Sequence, residues 1–254
     1  MQHRVRSGGL LLAAHLARPP VAVGGSFPGL VICHGYPSGT GELELAAETL
    51  PELADRAATE MGWVALAIAC RGCGESEGSF SLTGWLDDLS AAIDHLVSGE
   101  RVVDVWLVGF GTGGALAVCA GARDQRVRGV ATIGSPADFE DWAGHPRRVL
   151  DHAREVGLIK EPGFPPSIEL WARGFQEIRA TACVQRFAPR PLLVMHGSDD
   201  DVVPVIDARV LADAHGSADL RIFDGAGHRL RHDPRAMAVL LGWLDLQHHA
   251  RRSA

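Results

Sequence analysis

Six short apolar runs recur along the chain: Leu30–Cys33, Trp63–Ala69, Val105–Val108, Gly129–Ile133, Leu192–Met195 and Leu220–Phe223. They are nearly continuous rather than alternating, as strands covered on both faces must be. Helical patterns separate most of them, at Leu43–Glu60, Leu82–Leu96, Thr112–Ala122 and Asp207–Ala214, and another closes the chain at Pro234–Gln247. This alternation predicts an α/β fold, with a mostly parallel central sheet and helices on both faces. The first 25 or so residues read as an edge hairpin. One stretch breaks the rhythm, with no clear strand from Asp138 to Phe187. It is too long for an ordinary loop, and it holds two amphipathic patterns, Pro146–Gly157 and Ser167–Arg179. The expectation is one domain over residues 1–254, with a small helical insertion at 136–188. Trp142, Phe164, Trp171 and Phe175 of that insertion either line a ligand pocket or only pin the insertion to the body.

Composition narrows the function classes. A formal net charge of −7, with basic clusters no longer than Arg147-Arg148 and Arg251-Arg252, gives no footprint for nucleic acid. The apolar run near the N-terminus lacks a convincing cleavage site and is too short to span a membrane. Five cysteines, Cys33, Cys70, Cys73, Cys119 and Cys183, fit reduced thiols of a cytoplasmic protein better than a disulfide framework. Cys70 and Cys73 form a CxxC with no second pair to complete a zinc site, so neither metal nor redox use is expected.

In open parallel sheets, ligand sites form beyond the carboxyl ends of the strands. The first run is followed by His34-Gly35-Tyr36-Pro37. A glycine there permits a tight turn, after which the Tyr36 N–H can help hold an oxyanion; an ordinary turn is the competing reading. The third run is followed by Gly109-Phe110-Gly111-Thr112-Gly113-Gly114 and then an alanine-rich helix. This is the geometry of G-x-S-x-G, in which the central residue presents its side chain on a sharp strand-to-helix turn. Here the central residue is Gly111, and Thr112 comes one position late. Phosphate cradling is the alternative for such a loop, but the G-x-G-x-x-G spacing and an acidic ribose partner are missing. The last two runs are followed by His196-Gly197-Ser198-Asp199-Asp200-Asp201 and by Gly225-Ala226-Gly227-His228. A carboxylate and a histidine on these loops suit a pair in which the acid orients the base.

Taken together, these four turns resemble those of α/β-hydrolases of the serine esterase and serine aminopeptidase type. The resemblance runs from about Leu10 to Leu246. It extends to Arg71-Gly72-Cys73-Gly74-Glu75-Ser76, which is similar to the family's loop after the second parallel strand, with Cys73 where histidine is frequent. It implies an α/β-hydrolase fold, with the insertion in the place of the family's cap. It assigns the oxyanion hole to the N–H groups of Tyr36 and Thr112, the acid to Asp200 rather than Asp199 or Asp201, and the base to His228. Gly111 then stands at the position of the nucleophile. No cofactor is implied.

Glycine at that position avoids strained backbone and removes covalent catalysis. Three readings follow: a weakly active or inactive relative that binds a small ligand, an enzyme that uses Asp200 and His228 without a covalent intermediate, or an ordinary serine hydrolase whose nucleophile has been exchanged in this chain. In each the partner is a small molecule, with an apolar acyl or aryl group suited to an aromatic pocket. The scarcity of basic residues near the strand ends points away from phosphorylated ligands. Oligomeric state is not legible.

Overall fold

The computed structural model describes residues 3–20, 26–39 and 41–252. Strands β1 (His3–Ser7) and β2 (Leu10–Ala17) form a hairpin through Gly8-Gly9, with His3 opposite Ala14 and Ser7 opposite Leu10. Part of the expected hairpin segment, residues 21–25, lies outside the described residues. Six more strands follow: β3 (Phe27–Cys33), β4 (Val64–Ile68), β5 (Val102–Phe110), β6 (Val127–Ile133), β7 (Leu192–Gly197) and β8 (Asp219–Phe223). They make one eight-stranded sheet in the order β1-β2-β4-β3-β5-β6-β7-β8. Pairings from β4 through β8 are parallel, and only β1–β2 and β2–β4 are antiparallel. The mostly parallel sheet expected from the apolar runs is present.

The continuous apolar character of the strands follows from helices on both faces. Successive side chains point to opposite sides, so Leu30 and Ile32 enter one core while Val31 and Cys33 enter the other. The first core lies under α1 (Glu42–Met61) and α9 (Pro234–Arg252), through Leu50, Ala54, Leu240 and Leu244. The second lies under α2 (Leu82–Gly99), α3 (Thr112–Arg123) and α8 (Val205–His215). Helix α2 begins with Ser81, whose hydroxyl accepts from the Gly84 N–H at 3.1 Å.

Between β6 and β7 lie four helices: α4 (Glu140–Gly144), α5 (Pro146–Glu155), α6 (Ile168–Glu177) and α7 (Ala180–Phe187). The two amphipathic patterns correspond to α5 and α6. Helix α7 belongs to the layer that covers the sheet, because Val184 and Phe187 are fully buried and a Cβ on Gly121 of α3 would lie 3.0 Å from the Phe187 ring. Among the described residues no helix is long and apolar enough to cross a membrane.

The loop after β4 is tied to α2 by a buried ion pair. Asp88 is fully buried and accepts from the Arg71 backbone N–H at 2.8 Å, from Nη2 at 2.7 Å and from Nε at 3.1 Å. Trp85 Nε1 donates to the Arg71 carbonyl at 2.9 Å. Removing one member of such a pair leaves a charge without compensation. Asp88→Ala is therefore expected to cost about 3–5 kcal/mol in urea denaturation. A loss under about 1 kcal/mol would mean that the pair behaves like an exposed one.

Candidate functional site

The backbone at the end of β5 has no room for side chains. A Cβ on Gly113 would lie 2.3 Å from the His34 carbonyl oxygen, and one on Gly109 would lie 2.3 Å from the Gly113 carbonyl oxygen. This packing sets the N-terminus of α3 against the loop after β3. Gly111 precedes α3 with φ 52° and ψ −127°, a conformation that residues with a side chain rarely adopt. It also leaves α3 without a side-chain cap, so the positive end of the helix faces outward. Space above Gly111 is open but bounded. A Cβ there would lie 3.5 Å from Gly35 Cα and 3.7 Å from His228 Nε2. Among the described residues, the N–H groups of Tyr36 and Thr112 have no protein acceptor.

Three strand ends supply the rest. Asp200, beyond β7, has a fully buried carboxylate that receives His228 Nδ1 at 2.9 Å, while His228 is 22 % exposed. Asp200 also accepts the N–H groups of Val202 at 3.0 Å and Val203 at 2.8 Å. His196, at the end of β7, places Nε2 3.1 Å from Asp200 Oδ2 and 2.9 Å from the Val203 carbonyl. Burial alone would raise the Asp200 carboxyl, but hydrogen bonds from His196, His228 and Val203 outweigh it and hold the group well below the usual carboxylate range. An ionised Asp200 only accepts, so His228 Nδ1 carries the proton and Nε2 presents its lone pair. Neither Asp199 nor Asp201 makes this contact. Asp199 accepts from Ser198 Oγ at 2.6 Å.

Three cavities meet at His228, the largest of them, about 820 Å³, lined by Asp201, Arg229, Asp233 and Arg235 among others. A small one of about 30 Å³ is lined by His34, Tyr36, Gly111, His228, Arg229 and Arg231, among others. A larger one of about 330 Å³ opens beside it, with Tyr36, Phe139, Trp142, His152, Asp138 and Asp207 in its wall. Helix α5 holds the near side. Tyr36 Oη donates to the Val149 carbonyl at 3.1 Å, and His152 Nε2 donates to the Pro37 carbonyl at 2.9 Å. Burial pushes the Tyr36 phenol up, so it stays a neutral donor. Burial likewise raises the Asp207 carboxyl, and the neighbouring Asp138 charge adds to the shift.

The four aromatic residues expected at a ligand pocket divide. Trp142 is in the wall of the larger cavity, its ring 4.7 Å from that of Tyr36. Phe164, Trp171 and Phe175 are not in that wall; Phe175 borders a separate cavity with Asp138 and Phe139. Trp171 and Phe175 are buried, and Trp171 Nε1 donates to the Phe80 carbonyl at 2.9 Å, which pins α6 to the segment before α2. Phe164 is partly buried against the same core. Two residues of this site had no role in the sequence reading. One is His196. The other is Gly134, where a Cβ would lie 3.4 Å from His228 Nδ1 and 3.5 Å from Asp200 Oδ2. His196 was visible only as the first residue of the acid loop, and Gly134 as the residue after the fourth run. All five cysteines are buried free thiols. Among the described residues, no three His, Cys, Asp or Glu side chains are grouped to hold a metal ion.

Residues 30–240 match the model of the alpha/beta hydrolase family. The chain belongs to that family. Its similarity to an uncharacterized protein, YfhR, of Salmonella typhimurium is 32 % identity over 152 residues, which is 56 % of this chain and 46 % of that protein. This chain thus matches about half the length of that relative. Similarity to 2-hydroxymuconate semialdehyde hydrolase of Pseudomonas sp. strain CF600 is lower, at 26 %, but covers 90 % of this chain and 84 % of that enzyme. Among solved structures, Est1E of Butyrivibrio proteoclasticus with bound ferulic acid superposes with a TM-score of 0.70 over 99 % of this chain and all of its own, at 20 % identity. For this member of the alpha/beta hydrolase family, the lowered Asp200 carboxyl has a consequence for stability. A depressed folded-state value stabilises the fold above the unfolded value and loses that contribution as pH falls toward the folded one. The stability gap between wild type and Asp200→Asn should therefore narrow as pH drops below about 4. Urea titrations across that range check this, and a gap independent of pH would contradict it.

Proposed function

We propose that this chain binds a small acyl or aryl compound at the carboxyl edge of the sheet, and that it is at most weakly hydrolytic because Gly111 stands where a serine esterase carries its nucleophile. One observation carries the reading. The Cβ position of residue 111 lies 3.7 Å from His228 Nε2, so a hydroxyl one bond further would fall within hydrogen-bond reach of that nitrogen, about 2.6–3.2 Å. The base, its orienting acid and two unpaired N–H groups surround a position that has no side chain. Helices α4, α5 and α6 between β6 and β7 act as a cap, and Trp142 with Tyr36 and Phe139 offers the apolar wall that an acyl or aryl group needs. The relative active on 2-hydroxymuconate semialdehyde and the esterase that holds ferulic acid support a small organic substrate or ligand.

A second reading is favoured by the size of the inner cavity. A cavity of about 30 Å³ is large enough to hold a water. A water there could give a proton to His228 Nε2 and attack an ester carbonyl, whose oxygen would take its charge to the Tyr36 and Thr112 N–H groups. The proton would then pass from His228 to the leaving alcohol, yielding acid and alcohol with no acyl-enzyme. Oxyanion stabilisation and binding alone leave roughly 10³–10⁴-fold over water in enzymes stripped of a triad member. Such residual hydrolysis should vanish in His228→Ala.

Gly111→Ser separates chemistry from folding. Serine is expected to bring fluorophosphonate labelling and measurable hydrolysis of short activated esters. It should also cost about 1–3 kcal/mol of stability, because it must adopt the backbone that glycine accepts freely. An ester assay and a denaturation curve on the two proteins read both effects. Lost stability without activity would count against an aligned dyad, and unchanged stability would count against strain at position 111.

A further inference from the structure

Two cysteines away from the Gly111 site meet where α3 packs on α7. Cys119 lies about two turns into α3, and Cys183 lies near the start of α7. Both are buried free thiols, and the two interact with each other. The helices touch again one turn further along α7, where the Phe187 ring lies against Gly121. Each helix brings an arginine to the pair. Arg186 Nη2 donates to Cys183 Sγ at 3.3 Å, and Arg123, one turn beyond Cys119, adds its charge. Both arginines are exposed, so the Cys183 sulfur lies one side chain beneath solvent. A guanidinium keeps its charge at any ordinary pH and favours a thiolate beside it. The hydrogen bond from Cys119 and the two arginine charges outweigh burial and bring the Cys183 thiol down to about 7. Closeness of two sulfurs alone does not do this. Cys70, with its sulfur 3.7 Å from that of Cys33, is pushed well up by burial, and so is Cys73.

We propose that Cys183 is a modification site for small hydroperoxides, hydrogen peroxide being the simplest, and that Cys119 resolves the modified sulfur into a disulfide between α3 and α7. The Cys183 thiolate attacks one peroxide oxygen. An S–O bond forms, the O–O bond breaks, and the departing hydroxide takes up the proton that Cys183 had given to solvent. The sulfur loses two electrons to the peroxide and becomes a sulfenic acid. Cys119 then gives up its proton and attacks that sulfur, forming S–S and breaking S–O, and the second hydroxide leaves with the Cys119 proton as water. Two thiols and one hydrogen peroxide become one disulfide and two waters. Arg186 favours the thiolate in the first step, and Cys119 is already beside the sulfur for the second. The new bond would close a covalent loop around β6, α4, α5 and α6. It leaves Gly111, Asp200 and His228 untouched, so it does not depend on the reading of position 111.

Hydrogen peroxide treatment of the reduced full chain near neutral pH, followed by peptide mass spectrometry without reductant, tests the proposal. Wild type should yield a linked peptide pair containing Cys119 and Cys183, with Cys70 and Cys73 oxidised about tenfold more slowly or not at all. In Cys119→Ser the sulfenic acid has no resolving partner, so dimedone should label Cys183. In Cys183→Ser, Cys119 should stay reduced. Arg186→Gln should slow oxidation of Cys183 by about threefold or more while its circular dichroism and urea midpoint stay those of wild type. Cys183 that remains reduced, or Arg186→Gln oxidised at the wild-type rate, would overturn the site. So would equal rates at all five thiols, which would mark opening of the whole fold. A dimedone adduct on Cys183 in wild type with no linked peptide would overturn the resolving role of Cys119.

Discussion

The backbone contacts at the end of β5 are the constraint on which this site depends. The strand turns into α3 so tightly that Gly113 packs against the His34 carbonyl oxygen with no space for a Cβ. That contact fixes the distance between the loop after β3 and the start of α3, which are the two sources of unpaired N–H groups. It also aims the axis of α3 outward over the sheet edge. A larger residue at Gly109 or Gly113 would push α3 away and open the donor pair, however well Asp200 and His228 were preserved. The chemistry of the site is thus limited first by sterics in the backbone and only then by the identity of side chains.

The second constraint is electrostatic. Asp200 receives four donors: two loop N–H groups, His196 and His228. The loop N–H groups fix the carboxylate in place. His196, fully buried, also binds the Val203 carbonyl and so closes the loop on itself. These bonds explain how a carboxylate without solvent contact stays ionised, since each favours the charged form against the cost of burial. An ionised acid sets the tautomer of His228, and the tautomer sets whether Nε2 can accept a proton. Gly134, with φ 58°, carries the chain past the acid–base pair at the end of β6.

Much of this was legible in the sequence because the relevant signals are local. Apolar runs marked six strands, since burial on both faces leaves no polar alternation. Glycine spacing marked the turn at Gly109–Gly113, since only small residues fit it. The choice of Asp200 among three consecutive aspartates came from resemblance in spacing, and nothing in their chemistry distinguishes them. Tertiary placement was not legible. Helix α7 spans only Ala180–Phe187 and gave no separate pattern, yet it covers the sheet beside α3. Trp171 and Phe175 looked like Trp142 by composition, but their surroundings make them part of the packing between α6 and the segment before α2. Arg229 and Arg231 follow His228 in sequence and carried no reading of their own. Their meeting with His34 and the α3 N-terminus depends on three separate strand ends.

Glycine at position 111 links strain, space and charge through a single missing side chain. In an enzyme with a nucleophile there, the surrounding donors act mainly in the transition state, when the carbonyl oxygen becomes an oxyanion. The ground state holds a neutral ester, so the donors are only partly used on binding. With glycine at position 111, the donors and the helix end remain while the space between them holds no side chain. Gly111 adopts its backbone without strain and leaves open the space between Gly35 and His228 Nε2 that a side chain there would enter.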